Sequence, residues 1–537
     1  MPGLCGFIVR GQDRPQERLQ TLLEDLRHHP DHSALPAFSD NKVTAGLVLR
    51  KAGQGGAHWE GPTGIQVWID GEAFDETGLM PGAELAAQLA TGTPRPLNGT
   101  FAAVIYDPQA EQIRFITDPY GLKYLYVRTT DFPAWSGDQR SFLKMQGPPP
   151  VFNAACLREF LEHGHPLGKT TWFNGIELLE PGLLLTHDLK SRKWSRQRYF
   201  KLEDQQPGSP IPSWNETVEQ LGGLFRKAVS RRCSHGLRSG LTLSGGLDSR
   251  AILAALPKSI SPVETVTFGK PGCTDEILAK AASAVRDTPH TFVPLGEEGW
   301  LEARKTGVEL TDGVFNILHL HGLESLPIIE DRMDFCLNGF LGDGILGGRW
   351  TAFPDQSAVS NFAARYLNRG RRFVLQSLHY GGTDLIYRLP FMDFTLLQFS
   401  LSLPRAWLKN SRVYRAMLLR EFPEYFQTIP WEKTGLPVSS AAWREKLAVK
   451  MRGLRRRLGI GADGYADYPG WLRRGSAAEF LRSHLEPSDA RIHRFFPAGK
   501  IAARLRDHSR GKDESEKLGR YLTAEIWLRF LAANNIT

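Results

Sequence analysis

The stretch Leu243-Ser-Gly-Gly-Leu-Asp-Ser249 constrains the fold more than any other part of the chain. It closes the strand-like run Leu241-Thr-Leu243 and opens an apolar helical run from Arg250 to Leu256. A second strand-like run follows at Glu264-Thr-Val-Thr-Phe268. Strand, tight turn, helix, strand is the order of a parallel βαβ unit. Gly245 and Gly246 leave the backbone free of Cβ atoms where several N–H groups can converge on an anion. The helix N-terminus, beginning at Leu247, adds its positive end, and Ser244 and Ser249 add hydroxyls. Asp248 is out of place in a phosphate cradle unless it holds Mg2+, which then neutralises the phosphates. There is no Gly-Lys-Ser/Thr, so the loop is not a P-loop and γ-phosphate transfer does not follow.

At 537 residues the chain is long enough for two or three domains of ~150 residues each. Its 41% hydrophobic and 23% charged residues exclude wholesale disorder. Five cysteines without a CxxC pair exclude a disulfide scaffold and a zinc ribbon and fit a reducing compartment. No apolar run approaches the ~20 residues needed to span a bilayer. The start, Met-Pro-Gly-Leu-Cys-Gly, lacks the layout of a signal peptide. The expectation is a cytoplasmic protein without membrane insertion.

Residues 1–200 read as short strands of period two, among them Cys5-Gly-Phe-Ile-Val-Arg10, Ile65-Gln-Val-Trp-Ile-Asp70 and Ala102-Ala-Val-Ile-Tyr-Asp107, with helices near 15–28 and 80–90. Residues 201–215 read as a linker, because Asp204-Gln-Gln-Pro-Gly-Ser-Pro-Ile-Pro-Ser213 is polar and rich in proline. Residues 216–537 read as an α/β unit with a mostly helical remainder. The net charge is 66 − 58 = +8. Basic residues gather late, at Lys450, Arg452, Arg455, Arg456, Arg457, Arg473 and Arg474. Sparse aromatic interleaving and interruption by Asp463 and Asp467 argue for a solvated helix face rather than a nucleic-acid surface. A docking face for an acidic partner stays open. His319 and His321 alternate in an apolar stretch with no further ligands near them, which suits structural or substrate-contact roles better than a metal.

The loop resembles the pyrophosphate loop of the N-type ATP pyrophosphatases, which cleave ATP to AMP and PPi and activate a substrate as its adenylate. Further stretches are similar to the asparagine synthetase B family, which includes β-lactam synthetases and lasso-peptide cyclases. Leu97-Asn-Gly-Thr-Phe-Ala102 matches "LNGxFA", and Asp118-Pro-Tyr-Gly-Leu-Lys-Tyr-Leu-Tyr126 matches "DRxGxKPLYY". Gly175-Ile-Glu-Leu-Leu-Glu-Pro-Gly182 looks like the exit of the N-terminal domain. Leu389-Pro-Phe-Met-Asp393 with Leu401-Ser-Leu-Pro404 matches "PFLD…LP". The resemblance implies a layered, β-rich N-terminal nucleophile (Ntn) hydrolase-like domain, followed by a parallel-sheet α/β ATP-pyrophosphatase domain. It implies ATP and Mg2+ as cofactors, with Asp248 and Asp343 as ligands of the Mg2+–PPi and Lys433 as the lysine near the reacting phosphate. Val266 and Phe268 fall where adenine is met. Asn338 and Gly339 belong to the segment of Asp343, and Asp275 and Glu276 lie on the next helix, near enough for a carboxylate at the metal.

Two departures bear on function. Glutamine-using members carry their cysteine as residue one, with its own α-amine as base. Here Cys5 stands behind Pro2, Gly3 and Leu4, and Arg27-His-His-Pro-Asp31 stands where "HRGPD" is expected. In Ile69-Asp-Gly-Glu72, Asp70 replaces an asparagine that donates to an oxyanion, and an ionised carboxylate donates nothing. Cys5, Asp70, Gly71 and Glu72 therefore read as a vestigial glutaminase site. The second departure is Phe340, where asparagine synthetases carry glutamate and β-lactam synthetases the tyrosine of a proton-accepting dyad. Phenylalanine accepts no proton, and Tyr387-Arg388 are the nearby candidates to replace it.

Three readings follow. The first is an AMP-forming amide ligase that joins an amine or ammonia to a small-molecule or peptide carboxylate, acidic or leader-bearing, as in a macrolactam cyclase or a metabolite-amidating enzyme. The second is a glutamine-hydrolysing asparagine synthetase, which requires that Cys5 be unmasked. The third is a silent scaffold. The resemblance leaves room for a homodimer or a pathway-protein partner and none for nucleic acid.

Overall fold

The computed structural model describes residues 2–10, 14–50, 55–204, 212–234, 236–352, 357–381, 385–457 and 464–536. Residues 205–211 of the expected linker lie outside them.

The N-terminal part is two stacked antiparallel sheets. One carries the first strand, Leu4–Ile8, between Val43–Leu49 and Ala134–Ser136. The other runs through Gln66–Phe74, Asn98–Asp107, Gln112–Thr117 and Leu183–Asp188. Strand alternation decides which side chains meet. Leu4 and Ile8 turn inward with Leu47, Trp68, Val104 and Phe115 to fill the space between the sheets. Cys5 and Phe7, on the opposite face, join Leu19, Leu22 and Leu23 of the helix Pro15–Leu26. The second sheet is covered on its outer face by the helix Gly82–Ala90 through Leu85, Ala86 and Leu89. Both expected helices are therefore present.

The βαβ unit is present as read: Ser239–Thr242, helix Leu247–Ala255 and Val263–Gly269, with the two strands parallel. It is the centre of a five-stranded parallel sheet that also contains His290–Pro294, Phe335–Leu337 and Ile386–Arg388. The remainder is helical, ending in the buried helix Ser515–Ala533.

The apolar cluster under Cys5 and Phe7 runs without a break into the core around Leu241, Ile252 and Trp527. Polar groups fasten the same boundary. A helix with i→i+5 hydrogen bonds, Tyr366–Val374, carries Arg371 and Arg372, both buried. Arg371 donates to the carbonyls of Gly121 (2.8 Å) and Leu179 (2.6 Å), and Arg372 to that of Thr170 (2.7 Å). Glu72 lies at this boundary as well. It accepts both Nε and Nη2 of Arg388, at 2.8 and 2.9 Å, across the boundary.

Candidate active site

The phosphate-type loop leaves the parallel sheet at its C-terminal edge, where ligands of such sheets bind. Its N–H groups already hold oxygen acceptors. Gly245 N donates to Asp275 Oδ1 at 2.7 Å, Ser244 N to Ser249 Oγ at 3.1 Å and Gly246 N to Ser244 Oγ at 3.3 Å. A carboxylate oxygen on the Gly245 amide shows that the turn accepts an oxyanion. Asp275 thus joins the loop, whereas Glu276 turns away to Lys280 and the Gly272 amide. Behind the loop the buried Arg250 donates to the carbonyls of Gly246, Gly245 and Ile429, leaving the amide side of the turn facing out. Leu243 and Leu247 are buried, so their side chains serve packing and only their backbone can serve the loop.

Asp248 is half-buried as the second residue of the helix. Its Oδ2 accepts the Asp343 amide at 2.8 Å and its Oδ1 accepts the Tyr414 hydroxyl at 3.0 Å. Burial, and secondly the charge of Asp343, push its carboxyl up to about 7. The segment of Asp343 is moulded to it. A Cβ on Gly342 would come within 2.4 Å of Asp248 Cγ, and Leu341 before it sits at φ +64°, an uncommon conformation for leucine. The Asp343 carboxylate itself is exposed and pairs with Arg349 at 3.2 Å.

The loop forms one end of a cleft of about 420 Å³, with Ser244, Gly246, Asp248, Ser249, Asn338 and Gly339 in its wall. Val266 and Phe268 also line this cleft. There Phe268 stands 5.2 Å from the ring of His321, and Tyr465 stands 5.1 Å from it. Burial and the neighbouring Arg304 push His321 down to about 3, so its ring is neutral. His319 turns the other way and pairs with Glu516 at 3.0 Å.

Lys433 and the Asp343 carboxylate do not line the cleft. Lys433 is exposed on the turn 431–436, its Nζ 5.2 Å from the Trp431 ring. That turn is tied to the loop, because Glu432 N donates to the Gly245 carbonyl at 3.3 Å. Phe340 is buried. Of its candidate replacements, Tyr387 lines the cleft, while Arg388 is committed to Glu72. Sequence reasoning missed Tyr414, Arg250 and Tyr465, which no local motif flags.

Asp248 suits a hard cation in one respect: a carboxyl that burial and the neighbouring charge of Asp343 push up is relieved by positive charge. Among the described residues no group of three or more His, Cys, Asp or Glu side chains is placed to hold a metal. Mg2+ there would take its remaining oxygens from phosphates and water, its common mode at nucleotide sites.

A second cavity lies over the expected glutaminase residues. It is lined by Pro2, Asp70, Gly71, Glu72, Lys123 and His379, and shares Leu378 and Tyr387 with the first. Asp70 pairs with Lys123 at 2.7 Å and with Arg50 at 3.7 Å. Burial and Arg50 lower Lys123 to about 8. Gly71 adopts φ +117°, and a Cβ there would strike the Thr100 carbonyl at 1.9 Å. Cys5 is fully buried in mid-strand, opposite Gly46 and Ser136, and burial raises its thiol.

Residues 220–378 match the asparagine synthase family and residues 84–200 the glutamine amidotransferase domain family. The chain is 26% identical over 278 residues to the amidase chry2 of Gibberella zeae, covering 47% of this chain and 40% of that one. It is 24% identical over 245 residues to the glutamine-hydrolysing asparagine synthetase of Gallus gallus, covering 44% of this chain and 41% of that one. To the human enzyme of that name it is 25% identical over 221 residues, with 38% and 37% covered. The chain thus spans about two fifths of the length of these curated relatives.

Proposed function

We propose, for a chain that is a divergent member of the asparagine synthetase-like family, that it is an ATP-dependent ligase that forms a carbon–nitrogen bond, releasing AMP and PPi. The observation that carries the reading is the anion-accepting Ser-Gly-Gly-x-Asp-Ser turn with Asp248 behind it and an aromatic niche in the same cleft. A polar loop and an aromatic wall in one cleft suit a nucleoside triphosphate lying with its base at Phe268, His321 and Tyr465. Its phosphates then replace the Asp275 carboxylate on the Gly245 amide.

Asp248 and Asp343 are the residues that would hold Mg2+, and the ion when bound supplies positive charge at the phosphates. The loop amides and the Ser244 and Ser249 hydroxyls orient the departing PPi and stabilise its charge. Tyr414 fixes Asp248 in place. A substrate carboxylate attacks the α-phosphorus, the α–β phosphoanhydride bond breaks, and an acyl-adenylate and PPi result. Lys433, on a flexible stem beside the loop, reaches in to balance the developing charge. An amine then attacks the acyl carbon and AMP leaves. Tyr387 is the hydroxyl-bearing side chain at the wall where that amine enters.

Residues 1–200 act as a glutaminase-like domain that no longer makes ammonia, 201–215 as linker and 216–537 as the adenylating domain. The nitrogen comes from ammonia or a substrate amine, because Cys5 is buried in mid-strand and Asp70 is neutralised by Lys123. The carboxylate belongs to a specialised metabolite or a peptide, and the site of action is the cytoplasm. The test follows AMP release from ATP–Mg2+ with aspartate and then a panel of carboxylates, comparing ammonia with glutamine. AMP with ammonia alone supports the reading. Equal rates with both donors mean that Cys5 is processed and the protein is a glutamine-dependent synthetase. Binding of no nucleotide at all makes it a silent scaffold.

A further inference from the structure

The helix Ala442–Arg457 is packed the wrong way round for a soluble protein. Its half-buried residues are Glu445, Ala448 and Arg452, spaced three and four apart on one face. Glu445 forms an ion pair with Arg415, and Arg452 donates to the Glu432 carbonyl. The opposite face is apolar. Trp443, Leu447, Met451 and Leu454 fall within about 80° of each other at 100° per residue, and each is 47% exposed or more. Lys446 and Lys450 flank this crest on one side and Arg444 on the other, all exposed. The helix has seven basic residues, and its one acid is the inward Glu445.

We infer that this helix is a peripheral docking ridge for an anionic lipid surface, with its crest at the acyl boundary and its basic shoulders against the headgroups. Three observations select this occupant. A crest of tryptophan and aliphatic side chains between lysines and arginines is the chemistry of interfacial helices. The feature is a ridge standing off the body on a polar face rather than a groove, so it suits a deformable plane better than a partner helix. A second copy of the chain would bring the same positive shoulders together, which repel. The ridge lies on the surface of the folded chain, so no membrane-spanning segment is involved. Through Arg452 and Glu432 it is also tied to the turn that carries Lys433 and touches the Gly245 carbonyl. The inference stands whether or not the ligase reading does.

The test is co-sedimentation of the full chain with extruded vesicles of phosphatidylcholine alone or mixed equally with phosphatidylglycerol. Binding to the mixed vesicles, weakened by added salt, is expected. Substituting Leu447→Ser with Met451→Ser should weaken it at least ~10-fold through lost apolar burial. Substituting Lys446→Gln with Lys450→Gln should weaken it about 30-fold at low salt. Unchanged thermal unfolding confirms that these surface variants fold. No sedimentation with the mixed vesicles overturns the inference and leaves the ridge to a protein partner. Undiminished binding of the serine variant overturns it too, since attraction would then reflect only the general positive charge.

Discussion

Asp248 accepts two hydrogen bonds and has a second carboxylate close by. Its carboxyl sits at about 7 in the folded chain, against an ordinary value near 3.8. The folded protein therefore holds more protons than the unfolded chain between those values. This group's contribution to stability is fully present below pH ~4 and is lost as pH rises through ~7. Asp248→Asn should raise the melting temperature at pH 8 by about 2 °C, with no gain at pH 4, as scanning calorimetry will show. The same variant should lose PPi release by ~10³-fold or more, because the neutral amide no longer attracts the cation. Cys5→Ala should leave PPi release unchanged, since the thiol only packs. Asp248 was legible in the sequence because its whole cradle is local. Its partner Tyr414 lies 166 residues away, and no local pattern could reveal it.

The site depends on how two elements are pressed together. The short helix Gly342–Ile345 lies against Asp248 with no room for a side chain at its first position. Gly342→Ala should displace the carboxylate and slow PPi release by ~100-fold, while far-ultraviolet circular dichroism stays unchanged. The βαβ order was readable from apolar runs and a glycine pair, and so were N-terminal strands such as Leu4–Ile8, Gln66–Phe74 and Asn98–Asp107. Two further strands of the sheet, Phe335–Leu337 and Ile386–Arg388, are three residues each and carry no period long enough to read. The wide helix Tyr366–Val374 was hidden for another reason. Its buried arginines look like surface residues until carbonyls from the other half of the chain appear around them.

At the scale of the whole molecule, one apolar cluster crosses between the two halves, and the Glu72–Arg388 pair is buried at the boundary. The two halves are thus joined by both apolar packing and a buried ion pair. Calorimetry should therefore show a single cooperative transition. Glu72→Ala, which leaves a buried guanidinium unpaired, should cost about 3–5 kcal/mol in denaturant unfolding. Glu72, which its motif places in a glutaminase-like site, is held in that buried pair, and the motif alone could not show it. Where ATP is cut is read most plainly from chromatographic identification of the nucleotide and phosphate products formed with Mg2+ and a carboxylate–amine panel. AMP and PPi in equal amounts, lost in Asp248→Asn, are the predicted result. ADP with inorganic phosphate would contradict the account.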